Sequence, residues 1–189
     1  MAQAFLAGGP RFSSPPRGLA RPAAAMTALH TAARDGSIAD MNAFLDEHEE
    51  KIDAQDESGR TALHWAAASG QAPSGALLVE CDADVNITDK EGNTPLHLTA
   101  VHNHRLVTSM LLWGGADVRA TNNKGNTPLH EAAAANAKDV AWLIIENGKV
   151  DEIRAEKNKD GKTPMDLARE NAEVDPALLK VLETGEHVD

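Results

Sequence analysis

The stretch Thr94-Pro95-Leu96-His97-Leu98-Thr99-Ala100 recurs in close copies four more times along the 189-residue chain. The copies read TALHTAA at 27–33, TALHWAA at 61–67, TPLHEAA at 127–133 and TPMDLAR at 163–169. Their opening residues, Thr27, Thr61, Thr94, Thr127 and Thr163, stand 34, 33, 33 and 36 residues apart. Self-similarity at this period marks an array of stacked supersecondary units, each too small to bury its own apolar face.

Each copy reads as the start of a helix. The threonine is an N-cap whose hydroxyl can satisfy an orphan backbone N–H. Pro95, Pro128 and Pro164 follow at the first helical position, where the missing donor costs nothing. Leu29, Leu63, Leu96 and Leu129 point into the core, and the small pairs Ala32-Ala33, Ala66-Ala67, Thr99-Ala100 and Ala132-Ala133 let neighbouring helices approach. Gly36, Gly70, Asn103 and Asn136 supply a left-handed turn at the helix end. A second helix then shows apolar residues at spacings of three and four: Ile38, Met41, Phe44 and Leu45; Val107, Met110, Leu111 and Leu112; Val140, Leu143, Ile144 and Ile145. Gly115 and Gly148 end it. Between units lie polar fingers with the tips DESG (56–59), DKEG (89–92), NNKG (122–125) and NKDG (158–161), each an Asx residue followed three positions later by Gly.

This T-P-L-H-x-A core on a 33-residue period resembles the ankyrin repeat. The resemblance implies an all-α solenoid of stacked helix-turn-helix units with protruding hairpin-like fingers. Five units beginning near the threonines named above would fill residues 27–185, between a segment 1–26 and a tail 186–189. Asp166 replaces the motif histidine in the last unit, and no finger precedes the first, so both ends read as caps. Unit two departs from its sisters. Ser74 and Gly75 stand where large aliphatics such as Val107 and Val140 are expected, and Asp82 stands where Gly115 and Gly148 stand. Gly75 lowers helix propensity by about 1 kcal/mol relative to Ala and predicts a packing deficit, open to both neutral drift and a built-in flex point.

Charge and composition narrow the partners. The formal net charge is −11. All three basic residues before Met26 are arginines (Arg11, Arg17, Arg21) with no acid among them, so the remainder carries −14. Phosphate contacts dominate nucleic-acid affinity, so this balance argues against DNA or RNA and favours steering of basic protein surfaces. Cys81 is the only cysteine, which excludes an intrachain disulfide and a Cys-based zinc site. No apolar run approaches the roughly 18 residues of a membrane span. Residues 1–26 are rich in Ala, Arg, Ser and Pro, compatible with a disordered tail or an organelle transit peptide. Cytoplasmic or nuclear residence is expected in the first case and organellar import in the second.

The residues that invite chemistry have structural readings. His30, His64, His97 and His130 recur one unit apart, and helix layers roughly 10 Å apart cannot bring them to one zinc, whose ligands sit about 2 Å from the metal. In the ankyrin family this histidine bonds the motif threonine and neighbouring backbone. Gly161-Lys162-Thr163 ends like a phosphate loop, but Glu156 occupies the place of the required earlier glycine. Asn86 resembles the ankyrin asparagine that oxygen-sensing hydroxylases modify. A non-enzymatic protein with no cofactor and no metal is expected.

The resemblance also implies where a partner sits: a concave face of finger tips and first helices. Carried onto this chain, that face comprises Arg60, Trp65, Ser69, Lys90, Glu91, Asn93, Leu98, His102, Lys124, Asn126 and Glu131. Trp65 is the strongest anchor candidate, because interface hot spots are enriched in Trp, Tyr and Arg. The expected function is an adaptor, scaffold or inhibitor that is monomeric when free and docks one protein partner. The alternative is an accessory structural subunit of a larger complex, organellar if the N-terminus targets.

Overall fold

A computed structural model of the chain describes residues 22–48, 51–148 and 150–186. Eleven helices occupy them: α1 (Pro22–Asp35), α2 (Ile38–His48), α3 (Ala62–Ser69), α4 (Ala72–Glu80), α5 (Pro95–His102), α6 (Arg105–Trp113), α7 (Pro128–Ala134), α8 (Lys138–Asn147), α9 (Val150–Ala155), α10 (Pro164–Glu170) and α11 (Pro176–Thr184). Two rows result. In the inner row α1, α3, α5, α7 and α10 pack side by side; in the outer row α2, α4, α6, α8 and α11 do the same. Among the described residues there is no strand, and the fingers are tight turns.

The motif accounts for the inner row. Leu29, Leu63, Leu96 and Leu129 are buried, and Ala33, Ala66, Ala67, Ala100, Ala132 and Ala133 are fully buried where adjacent helices meet. Thr99, the departure from alanine within the first four units, buries its hydroxyl by donating to Leu96 O at 2.9 Å. Thr61, Thr94, Thr127 and Thr163 cap their helices as expected. Thr27 does not: α1 starts five residues earlier, with Pro22 at its head, so Thr27 lies inside a helix. Pro22 is tolerated there because the first turn has no intrahelical donor to lose. The rest of the 1–26 expectation falls on residues 1–21, outside the described residues, as do 187–189 of the tail.

Asn103 and Asn136 adopt φ of 55° and 56° and replace the left-handed Gly36 and Gly70 as read. Their neighbours adapt too. A Cβ on Gly70 would come within 2.7 Å of the His104 ring, and one on Gly36 within 2.7 Å of Gln71 Oε1. The position equivalent to Gln71 and His104 in the next unit is the buried Ala137, small where the preceding turn residue is Asn103 rather than Gly.

The expected deficit at Gly75 is corrected. A Cβ there would lie 2.4 Å from Met110 Cε, so the methionine of the next unit occupies the space that glycine vacates. What is left of the weakness is Ser74, whose buried hydroxyl has no hydrogen-bond partner, and Asp82, held at φ 63°. A second departure is α9, absent from the sequence reading, in the one interval stretched to 36 residues. Ile153 is buried, and its Cδ1 would lie 2.6 Å from a Cβ on Gly148. Arg119 ties α9 and the residue after it to unit three, through Glu152 and Glu156, both at 2.7 Å. Arg154 donates to the carbonyls of Leu182 and Glu183 at the end of α11.

Candidate functional site

The fingers are built by their first residue. Asp89 Oδ1 accepts from the N–H groups of Glu91 and Asn93, both at 2.9 Å, closing the turn around Gly92. Asp56, Asn122 and Asn158 repeat this in their own fingers. Consecutive tips are then joined by backbone: Lys90 N–H donates to Ser58 O (3.0 Å), Asn123 N–H to Glu91 O (2.9 Å) and Lys159 N–H to Lys124 O (3.1 Å).

A side-chain clamp runs alongside. The fifth residue of one finger meets the first residue of the next: Asn122 Nδ2 donates to Asn93 Oδ1 (2.9 Å) and Asn158 Nδ2 to Asn126 Oδ1 (2.8 Å). In the first joint the same two places hold a charged pair, with Arg60 Nε donating to Asp89 Oδ2 at 3.4 Å. Arg60, Asn93 and Asn126 are therefore equivalent, and each is engaged in holding fingers together.

The residues on the first helices are similarly committed. Trp65 Nε1 donates to Asp56 Oδ2 at 2.9 Å, and the Arg60 guanidinium lies 5.4 Å from the indole centroid. At the equivalent position in α7, Glu131 Oε1 accepts from Asn122 Nδ2 and Asn126 Nδ2, both at 2.9 Å. Donor and acceptor have exchanged together: an acidic first finger residue meets tryptophan, and an amide meets glutamate. Leu98, between them in register, has no polar group and is only 6 % exposed. Burial raises the Asp56 carboxyl, but hydrogen bonds from Ser58, the Arg60 N–H and Trp65 outweigh it and bring its pKa down to about 2. Trp65 is thus half buried against the first finger, facing a small cleft of about 150 Å³ with His30, Thr31, Arg34 and Asp56, and it does not line the groove over α5.

That groove, about 490 Å³, runs over α5 from the edge of the first finger across the second and third. Of the eleven residues assigned to the face, Arg60, Lys90, Glu91, Asn93, Leu98, His102, Lys124 and Glu131 line it, whereas Trp65, Ser69 and Asn126 do not. Val101, Asn122 and Asn123 complete the lining. Its exposed side chains are Lys90, Glu91, Val101, His102, Asn123 and Lys124. Partial burial lowers the His102 pKa, helped by the positive charges of His104 and Arg60.

His64, His97 and His130 are occupied at both ring nitrogens, and His30 Nε2 donates to Ala54 O at 3.0 Å. Thr94 N–H donates to His97 Nδ1 at 3.2 Å, so the ring proton sits on Nε2, which donates to Asn126 O at 3.0 Å across the unit boundary. His64 and His130 do the same toward Asn93 O (3.0 Å) and Lys162 O (3.1 Å). Burial pushes all three imidazoles below their ordinary pKa. Asp166 keeps the local half of this arrangement, accepting from Thr163 N–H at 2.9 Å, and has no reach to a following unit. His104 donates to Ala68 O at 3.2 Å, and Lys162 pairs with Glu170 at 2.6 Å. Asn86 is engaged through both ends of its amide, by Asp117 N–H at 2.8 Å and toward Gly115 O at 3.3 Å. Among the described residues no helix is long and apolar enough to cross a membrane.

A family model for ankyrin repeats matches the chain in three copies, over residues 13–89, 75–154 and 105–184. A comparison with curated proteins finds no match. Matched over most of its length, the chain belongs to the ankyrin-repeat family, whose arrays are protein–protein interaction modules and typically not enzymes.

Proposed function

We propose that this chain is a non-enzymatic adaptor, scaffold or inhibitor that docks a partner protein in the groove across its first three fingers. One observation carries the reading. The groove exposes Lys90, Glu91, Val101, His102, Asn123 and Lys124 at positions where the copies differ, while Arg60, Asn93 and Asn126 beneath them are spent on clamping. The partner carries a net basic surface, steered by the net charge of −11, with an acidic group facing Lys90 and Lys124. Neither lysine has an ion pair among the described residues, whereas Glu131 already accepts two amide bonds. Affinity purification of the full chain beside a Val101→Asp/Lys124→Glu variant tests this. Loss of the partner with an unchanged circular dichroism spectrum is expected. An identical partner list from both proteins contradicts it, and co-migration in one fixed complex that survives the substitutions points to an accessory subunit instead.

A further inference from the structure

The outer row carries a second, unassigned surface on the face opposite the first helices. Leu106 is 75 % exposed and Trp113 85 % exposed. They lie seven residues apart on α6 and so share one face of the helix, while Met110 between them is turned aside against Gly75 of α4. A tryptophan left this bare is uncommon in a surface with no partner. The sister units show that the array does not require it. Thirty-three residues to either side, in α4 and α8, the place of Trp113 is taken by Glu80 and Glu146, and that of Leu106 by Pro73 and Asp139.

Charge frames the stripe asymmetrically. Arg105 opens α6 beside Leu106, exposed and without an ion pair among the described residues. At the other end, exposed Glu80 and Glu146 flank Trp113 from the two helices that pack against α6. Such a surface is complementary to itself when turned through 180°. Laid antiparallel, Leu106 of each copy meets Trp113 of the other, and Arg105 reaches the glutamates beside the opposite tryptophan. A parallel approach would instead gather four glutamates. Isologous contact of this kind closes after two copies.

We propose that a second copy of this chain docks on the outward face of α6, giving an antiparallel homodimer that leaves the finger groove free. Full-length protein analysed by sedimentation velocity over a concentration series should approach twice the 20.1 kDa chain mass. Trp113→Glu/Leu106→Asp installs residues that α8 already carries at these registers, and should leave the helical signal intact while holding the mass at one chain. Arg105→Glu should also shift the protein toward monomer, and adding Glu80→Arg and Glu146→Arg should restore the dimer. A wild-type chain that stays monomeric throughout overturns the proposal. So does a dimer that survives Trp113→Glu/Leu106→Asp, or a monomer in which Trp113 is already shielded from a soluble quencher, since another part of the chain would then cover the stripe.

Discussion

Two alanine substitutions, chemically identical and two units apart, separate the cost of a left-handed turn from the cost of a broken finger joint. Gly92 and Gly161 have φ of 78° and 74°. An added Cβ at Gly161 meets nothing within 4 Å, whereas at Gly92 it would lie 2.9 Å from Asn123 N and 3.1 Å from Asn122 Cα. Gly161→Ala therefore bears only the conformational penalty, about 1 kcal/mol. Gly92→Ala adds the loss of the Asn123 N–H to Glu91 O bond, about 1 kcal/mol, and at least about 1 kcal/mol of overpacking against backbone that cannot rotate away. The expected total is about 3 kcal/mol. With an m-value of about 2 kcal/mol/M in urea, the midpoints should fall by about 0.5 M and 1.5 M respectively. Urea titration by circular dichroism gives the shifts, and amide exchange at Asn123 shows whether the joint has opened in Gly92→Ala alone. Equal destabilisation by the two substitutions would refute the inter-finger ladder as a source of stability.

Other outcomes follow from the same contacts. Ser74→Val places the residue type of Val107 and Val140 at the equivalent site and removes a buried hydroxyl without a partner; the thermal midpoint should rise, by about 1 kcal/mol in stability. Asp82→Gly relieves a residue held at φ 63° and should stabilise by about 1 kcal/mol. Acid should destabilise the array in two stages. His64, His97 and His130 have folded pKa values lowered by burial, so their contribution is whole above the ordinary 6.5 and declines as pH falls through the folded values. Asp56, lowered to about 2, adds stability that is whole above about 3.9 and declines toward pH 2. Stability measured by urea titration at successive pH values checks both, and a flat profile between pH 7 and 5 would contradict the first.

Much of the architecture was legible because a repeat states its own register. The period located Thr61, Thr94, Thr127 and Thr163 as caps, and the substitution of Asn103 and Asn136 for glycine marked left-handed turns without any structure. Where a residue's role depends on another unit, the reading went astray. Gly75 looked like a defect until Met110, 35 residues on, was seen to fill it. The early start of α1 was hidden because Pro22 signals both the end of one helix and the beginning of another. The interval of 36 residues before Thr163 is three longer than the two before it, but the turn-to-helix change at 150–155 needed Ile153 to find a buried site.

The candidate face shows the same division. The resemblance places Trp65 and Arg60 on the binding face, with Trp65 as its anchor; in the structure both help to complete the first finger. The pairing of Asp56 with Trp65 and of Asn122 with Glu131, each nine residues apart, was present in the sequence as a covarying donor and acceptor. Comparing whole units, rather than single varying positions, would have separated these from Val101, Asn123 and Lys124, whose side chains stay exposed.

The most direct test of the claim that the repeated motif joins units lies in the imidazole of His97. Proton–nitrogen NMR at neutral pH should show a neutral ring protonated at Nε2, with that proton slow to exchange because it is buried against Asn126 O. Its titration should be displaced below the ordinary 6.5, in company with His64 and His130. A freely exchanging ring with an ordinary pKa, or one protonated at Nδ1, would contradict the account.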